Sequence, residues 1–193
     1  MLRRLYDWTL SLARSPGATR ALAAISFAES SFFPVPPDVL LIPMVLAERT
    51  KAWLYGTVTT VASVLGGLFG YAIGYFLLDT IGRPIIDFYG YTEEFHRFAG
   101  LYNEYGAWIV FAAGLTPLPY KVVTIASGVT MLNLPAFMLA SVASRGLRFY
   151  AVTALLYWFG PPIRDLMDRY LNWVFWGFVA LAVGGFVVLP YLW

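Results

Sequence analysis

The sequence predicts an all-α integral membrane protein, built as an inverted repeat with two oppositely oriented re-entrant helical hairpins. About three full transmembrane helices and an N-terminal interfacial helix complete this single membrane-embedded domain over residues 1–193. Three observations predict this class. First, 60% of the 193 residues are hydrophobic and 12% are charged, a composition that the surface of a soluble domain hardly tolerates. Second, apolar stretches of membrane-spanning length recur along the chain. Third, prolines break two such stretches at matching places.

The N-terminal segment, residues 1–17, is predicted to be an interfacial helix. Its apolar side chains follow one helical stripe, at Leu2, Leu5, Tyr6, Thr9, Leu12 and Ala13. Arg3 and Arg4 lie beside the stripe, as is typical of helices that lie in the membrane surface. We expect this segment to be retained, because no small-residue cleavage site leads into a soluble domain.

Three stretches are predicted to cross the membrane, at residues 53–78, 134–159 and 171–192. Each provides the roughly 20 predominantly apolar residues that a spanning helix needs. Two further apolar stretches, 22–47 and 107–132, are interrupted at mid-length by prolines. The interrupting residues are Pro34, Pro36 and Pro37 in the first stretch, and Pro117 and Pro119 in the second.

Each interrupted stretch is predicted to form two half-helices that return to the side from which they entered. Proline lacks a backbone donor and disfavours helical geometry in the residue before it. Non-helical backbone at membrane depth needs protein or a wet cavity to satisfy its polar groups. We therefore expect both proline turns in the protein interior, as re-entrant hairpins.

The two hairpins resemble one another in sequence. "PVPPDVLLI" at 34–42 and "PLPYKVVTI" at 117–125 align their prolines at an offset of 83 residues. One full span between them gives the hairpins opposite orientations, the arrangement of secondary transporters that bind substrate near the midplane at broken helices. In this alignment Asp38 falls opposite Lys121, so the two turns present opposite charges at equivalent places.

The distribution of cations predicts the orientation in a bacterial inner membrane. One side of the predicted topology carries Arg3, Arg4, Arg14, Arg20, Arg49, Lys51, Arg164 and Arg169. The opposite loop, residues 79–106, carries only Arg83 and Arg97. Because cytoplasmic loops are enriched in Lys and Arg, we expect a cytoplasmic N-terminus.

Glu29 and Asp38 are the candidate residues for proton or ion coupling. Ionisable residues inside membrane segments are costly and usually mark a pathway or site. Burial favours the neutral form of a carboxylate, so either residue could carry a proton. The structural alternative is an ion pair, or for Asp38 a cap on the second half-helix after Pro37.

Lys121, Arg145 and Arg148 are the candidate residues for binding a substrate phosphate. Arg145 and Arg148 are spaced i, i+3, so they share one helix face about halfway along the 134–159 stretch. Guanidinium groups hold phosphate by bidentate hydrogen bonds. The alternative is that both arginines neutralise Glu29 and Asp38, which is compatible with function if a substrate exchanges with the carboxylates.

Other classes of function find no support in the sequence. The chain has no cysteine, and its single histidine, His96, offers no convincing metal site. No phosphate-binding loop, nucleophile elbow or zinc-protease motif occurs. We expect no enzyme, catalytic residue, metal, cofactor or nucleic-acid partner. The repeat of Gly66, Gly70 and Gly74 predicts close helix packing.

Three segments together resemble the DedA family of membrane proteins, also called the VTT or SNARE-associated Golgi protein domain, and particularly its YqaA-like branch. They are "FAESSFFPVPPDVLLIP", "LGGLFGYAIGYFLLDTIGRP" and "GLTPLPYKVVTIASG". The resemblance implies two opposed re-entrant hairpins and lipid movement across the membrane, including flipping of a polyprenyl-phosphate carrier. Glu29 and Asp38 match the family's acidic residues. Where many members carry two arginines around the second proline, this chain has Gly114 and Lys121.

The leading interpretation is therefore a flippase or scramblase for a phosphate-bearing lipid, either a polyprenyl phosphate or a phospholipid. Its predicted partners are membrane lipids with anionic headgroups, together with protons. A proton-coupled antiporter of small cations or drugs is the alternative, in which the carboxylates form the site. A membrane scaffold with purely structural charges is a third interpretation.

Overall fold

The regular structure is helical throughout the described residues, which in this computed structural model are 17–32, 36–116 and 119–160. The elements in chain order are α1 (Ala18–Ser31), α2 (Asp38–Ala47), a 3-10 turn (Arg49–Lys51), α3 (Ala52–Leu77), a π-helical segment (Leu78–Gly82), α4 (Arg83–Tyr89), α5 (Thr92–Leu115), α6 (Tyr120–Val129) and α7 (134–160). The all-α class is thus confirmed for these ranges. The re-entrant, inverted layout in a membrane stays a prediction.

Several sequence-based predictions fall outside the described residues. The predicted span 171–192 lies wholly outside them, and of the predicted interfacial helix only Gly17 is described. Pro34 and Pro117 are also outside, whereas Pro36, Pro37 and Pro119 are described. The account of the two breaks therefore rests on the helices that flank them.

One helical segment of the described chain, Arg49–Tyr89 with 41 residues, is long and apolar enough to cross a membrane. It contains α3, which lies within one residue of the predicted stretch 53–78 at each end. The other described stretch that we expect to cross, 134–159, coincides with α7. At 1.5 Å per residue, α7 is about 40 Å long over its described part.

Helix lengths repeat along the chain with the prolines. α2 and α6 each contain 10 residues and begin directly after Pro37 and Pro119. Proline suits the start of a helix because its missing N–H is not needed there. Moving α3 along the sequence by the 83-residue offset gives 135–160, which matches α7. A break, a short helix and a long helix therefore occur twice in the same order.

The predicted loop at 79–106 is largely helical. The π-helical segment and α4 continue the long apolar helix. Gly90 follows α4 as its C-cap, with a φ of 72°, the left-handed conformation that glycine adopts at helix ends. α5 then begins at Thr92, with Glu93 and Glu94 in its first turn, where acidic side chains stabilise the helix dipole. The first arm of the predicted hairpin 107–132 is consequently part of a 24-residue helix.

Glycines bring α3 into close contact with α1 and α6. A Cβ added at Gly66 would collide with the backbone carbonyl of Phe27, and one at Gly74 would collide with that of Ile125. Gly128 on α6 lies in the same way against the carbonyl of Tyr71. The predicted packing role of the α3 glycines is confirmed, and α3 is the central helix of the described fold.

Two apolar clusters flank a polar interior. The first joins α1, α2, α3 and α7 through residues that include Leu22, Leu41, Tyr55, Phe149 and Leu156. The second joins α5, α6 and α7 through Val110, Ala113, Tyr120, Leu132 and Phe137. Buried serine and threonine hydroxyls on α1, α3, α6 and α7 accompany these clusters, together with the fully buried Arg145.

Candidate functional site: paired charges at the first helix break

The first helix break carries the two acidic candidates. Glu29 lies in the last turn of α1, and Asp38 is the first residue of α2. Pro37 is the N-cap of α2, and no side chain makes a cap hydrogen bond there. Asp38 therefore does not act as the side-chain cap that the sequence allowed. Its carboxylate contacts α7 instead.

Arg145 and Glu29 form an enclosed ion pair. Arg145 Nη2 donates a hydrogen bond of 2.8 Å to Glu29 Oε2. The Arg145 side chain has no exposed surface, whereas the Glu29 side chain is 18% exposed. Burial of a charge is tolerated only when it is paired and hydrogen-bonded, so this carboxylate is required for Arg145 to lie inside the fold.

The rest of the Arg145 guanidinium is enclosed by a hydroxyl and two aromatic rings. Nε donates to Ser63 Oγ at 2.6 Å. The centroids of the Tyr120 and Phe149 rings lie 4.7 Å from Cζ, within the range of cation–π attraction. Nη1 is buried and makes no hydrogen bond with any residue of the described ranges. This atom keeps its donor capacity.

Arg148 and Asp38 form a second ion pair that remains open to its surroundings. Arg148 Nη2 donates to Asp38 Oδ2 at 2.8 Å, and the two side chains are 26% and 21% exposed. The Phe149 ring lies 5.4 Å from Cζ of Arg148 as well as against Arg145. The i, i+3 spacing thus places two guanidiniums around one aromatic ring, one enclosed and one accessible.

Serine hydroxyls connect α1 to α3 beneath the pairs. Ser30 Oγ donates to Glu29 Oε2 at 3.1 Å and lies 2.7 Å from Ser63 Oγ. Ser31 Oγ donates to the carbonyl of Gly66 at 2.9 Å. These serines and Tyr120 were missed by sequence reasoning. The available signal was a pair of serines directly after Glu29 and one serine in the middle of an apolar span.

The third cationic candidate, Lys121, lies on α6. It is half-buried as the second residue of α6, and no ion pair of Lys121 occurs among the described residues. Its carbonyl accepts a hydrogen bond of 2.9 Å from Thr124 Oγ1. The neighbouring Tyr120 reaches Arg145, so α6 contributes to the site through an aromatic ring. Within the described residues, the two acidic candidates thus pair with the two arginines.

The surroundings of Gly114, before the second proline, leave no space for an arginine. A Cβ at Gly114 would collide with Ser144 Oγ and would lie 3.6 Å from Cδ of Arg145. An arginine at this position therefore has no space while α5 and α7 keep their distance. Arg145 occupies the neighbouring volume from α7.

Both carboxylates of the site are held by guanidinium groups of α7. Within the described residues, no cluster of three or more His, Asp or Glu side chains could hold a metal ion.

Comparison with known proteins identifies relatives over nearly the full length. The VTT domain family model matches residues 35–158. An uncharacterized protein of Haemophilus influenzae is 34% identical over 185 residues, and one of Histophilus somni is 36% identical over 185 residues. Each alignment covers 96% of this chain and 96% of the relative. No solved structure matches the chain significantly.

Proposed function

Since the chain belongs to the VTT domain family of membrane proteins, we propose that it moves a phosphate-bearing lipid across the bilayer as a flippase or scramblase. The substrate would be a polyprenyl phosphate carrier or a phospholipid, the membrane the bacterial inner membrane, and the N-terminus cytoplasmic. The family is associated with membrane transport. The observation that carries the proposal is the accessible Arg148–Asp38 pair beside the enclosed Arg145–Glu29 pair.

Arg148 is the proposed first contact of the phosphate. Its Nη2 is occupied by Asp38, yet a quarter of the side chain is exposed. A phosphate provides oxygens on several sides and matches the planar fork of a guanidinium. Protonation of Asp38 would weaken the existing pair and favour exchange with the phosphate, which links lipid binding to protons.

Arg145 supports this step from the interior. Its partners Glu29 and Ser63 and its two aromatic neighbours fix the guanidinium. Its Nη1 makes no hydrogen bond within the described ranges and is the proposed donor towards an anion. Gly114 leaves no space for a larger side chain beside Arg145, so Arg145 and Arg148 on α7 are proposed to take the place of the arginines that many members carry at the second proline. Lys121, at the second break, is proposed to receive the phosphate later in its passage.

A proton-coupled antiporter of small cations or drugs is the competing function. The partial exposure of both carboxylates favours it, since a cation could replace an arginine on Glu29 or Asp38. In that case the arginines only tune the carboxylates, and the identity of the cationic side chain matters less than its charge.

Transbilayer movement of labelled lipid in liposomes distinguishes the two functions. Arg148→Lys keeps the charge but loses the fork. The cost of about 1 kcal/mol for losing a bidentate arrangement corresponds to a roughly fivefold slower movement of the phosphate-bearing lipid. Arg20→Lys on the exposed face of α1 is the matched control and should move lipid at the wild-type rate. Equal rates for both variants would remove Arg148 from the substrate path.

A further inference from the structure

A cavity lies far from the paired charges. It has a volume of about 460 Å³, is open on one side, and is lined by the π-helical segment, α4, α5 and the turn that follows α6. Leu78 lines this cavity, whereas Ser63 contacts Arg145. The 15 residues between them correspond to about 22 Å along the helix axis. The cavity is thus a separate feature, of a size typical of small-molecule sites.

Gly100 on α5 leaves space in this cavity, although glycine lowers the stability of a helix. It lies in the middle of α5 and lines the cavity, and a Cβ at this position would meet no atom within 4 Å. Neither a close backbone approach nor a positive φ requires glycine here. Glycine inside a helix costs about 1 kcal/mol relative to alanine. Glycine at this position therefore keeps space in the cavity and does not stabilise the helix.

Met131, which also lines the cavity, adopts an unfavourable backbone conformation. It follows the C-cap of α6 with φ of 53°, and is the single non-glycine residue with positive φ in the described ranges. Met131 N–H bonds Gly128 O at 3.1 Å, and Leu132 N–H bonds Ser127 O at 2.9 Å. These bonds form a helix-ending motif that favours glycine at this position. The strained residue instead places a flexible apolar side chain against the cavity.

The charges of the wall select the kind of ligand. Arg83 lines the cavity but is neutralised by Asp79, with Nε 3.1 Å from Oδ1. Asp87 accepts a hydrogen bond of 2.9 Å from Thr92 Oγ1, and no cation pairs with it among the described residues. Asp87 is thus the one carboxylate on the described wall, which also includes His96. Apolar and aromatic side chains, among them Phe95, form much of the rest.

We propose that this cavity binds an organic cation with an apolar body. The ammonium or phosphonium centre would be attracted to Asp87, and the apolar part would pack against Ile86, Phe95 and Met131. The aromatic ring of Phe95 adds cation–π attraction. The ligand is either a soluble organic cation or the amine headgroup of a membrane lipid, since both present the same chemistry. The proposal does not rest on phosphate-lipid transport, because it uses none of the paired residues.

Binding of tetraphenylphosphonium to the purified full-length protein tests the proposal, with tetraphenylborate as an anion of nearly the same shape. Equilibrium dialysis compares the bound fraction of each ion between variants in the same detergent. Partitioning of the ion into micelles is then equal for all variants and cancels from the comparison. Asp87→Asn keeps an acceptor for Thr92 and should weaken phosphonium binding about tenfold, the loss expected for one charge-assisted contact. Glu94→Gln, an exposed carboxylate on α5 that does not line the cavity, should leave it unchanged.

Gly100→Leu places a bulky side chain in the cavity and provides a second test that unfolding cannot imitate. The variant should melt at the same or a higher temperature, because leucine is the better helix former, while phosphonium binding falls to background. Unchanged binding by Gly100→Leu or by Asp87→Asn would overturn the proposal, as would equal retention of tetraphenylborate at this site. Added phosphatidylethanolamine that displaces the phosphonium assigns the lipid amine as the natural ligand, and a lack of displacement assigns a soluble cation.

Discussion

Arg145→Met should destabilise the protein far more than Arg148→Met, although both remove one arginine from one helix. Arg145 has no exposed surface and holds Glu29, Ser63 and two aromatic rings. Removal of one partner from a buried pair typically costs about 3–5 kcal/mol, because the remaining charge is left without compensation. Arg148 and Asp38 are 26% and 21% exposed, so we expect a loss of about 1 kcal/mol, near the upper range for exposed pairs.

Reversible unfolding in mixed detergent micelles, followed by tryptophan fluorescence, measures both variants. The double variant Arg145→Met with Glu29→Gln closes a mutant cycle. Because the two side chains are in direct contact, the double variant should lose about 2 kcal/mol less than the sum of the single variants. The matched cycle for Arg148 and Asp38 should give a smaller coupling energy.

Equal losses for Arg145→Met and Arg148→Met would refute the reasoning, since burial is the feature that separates the two pairs. A loss below about 1 kcal/mol for Arg145→Met would also refute it. Either result would mean that the enclosed arrangement does not contribute to the stability of the fold.

Three further predictions follow from packing, charge and topology. Gly74→Leu should lower the unfolding free energy by about 3 kcal/mol or more, because the leucine side chain would meet the backbone of α6. Wild-type stability of this variant would argue against the close contact of α3 with α6. Lys121→Gln should slow lipid movement without changing the melting temperature, since no ion pair of Lys121 occurs in the described part of the chain. A large drop in the melting temperature would assign Lys121 a structural role. A cysteine placed near Ala47 should react with a membrane-impermeant thiol reagent only from the cytoplasmic side, and labelling from outside would contradict the predicted topology.

The sequence determines the long helices and the breaks because their causes are local. The apolar run at 53–78 predicts α3 within one residue at each end. Pro37 and Pro119 lock their own backbone and lack a donor, and a new helix begins directly after each of them. The helical structure of 79–106 was not predicted, because the moderate polarity of these residues was interpreted as a loop. Gly90 at the end of α4 and the acidic residues Glu93 and Glu94 in the first turn of α5 were the available helix signals.

The pairing of charges depends on contacts between distant parts of the chain. Glu29 and Arg145 are 116 residues apart in sequence, and helix periodicity alone does not show which carboxylate meets which arginine. The same limit applies to Ser63 and Tyr120, since only the packing of α3 and α6 against α7 places them on Arg145. Sequence analysis identified the charged residues, whereas their different burial follows from the assembled helices.

Transbilayer movement in reconstituted liposomes shows whether this protein moves a phosphate-bearing lipid. Liposomes with the wild-type protein should translocate a labelled polyprenyl phosphate or phospholipid faster than empty liposomes, and a neutral lipid with the same tail should not be accelerated. Asp38→Asn should remove the dependence of this movement on pH. Movement at the rate of empty liposomes, together with proton-coupled uptake of a small cation, would contradict the claim and assign the site to an antiporter.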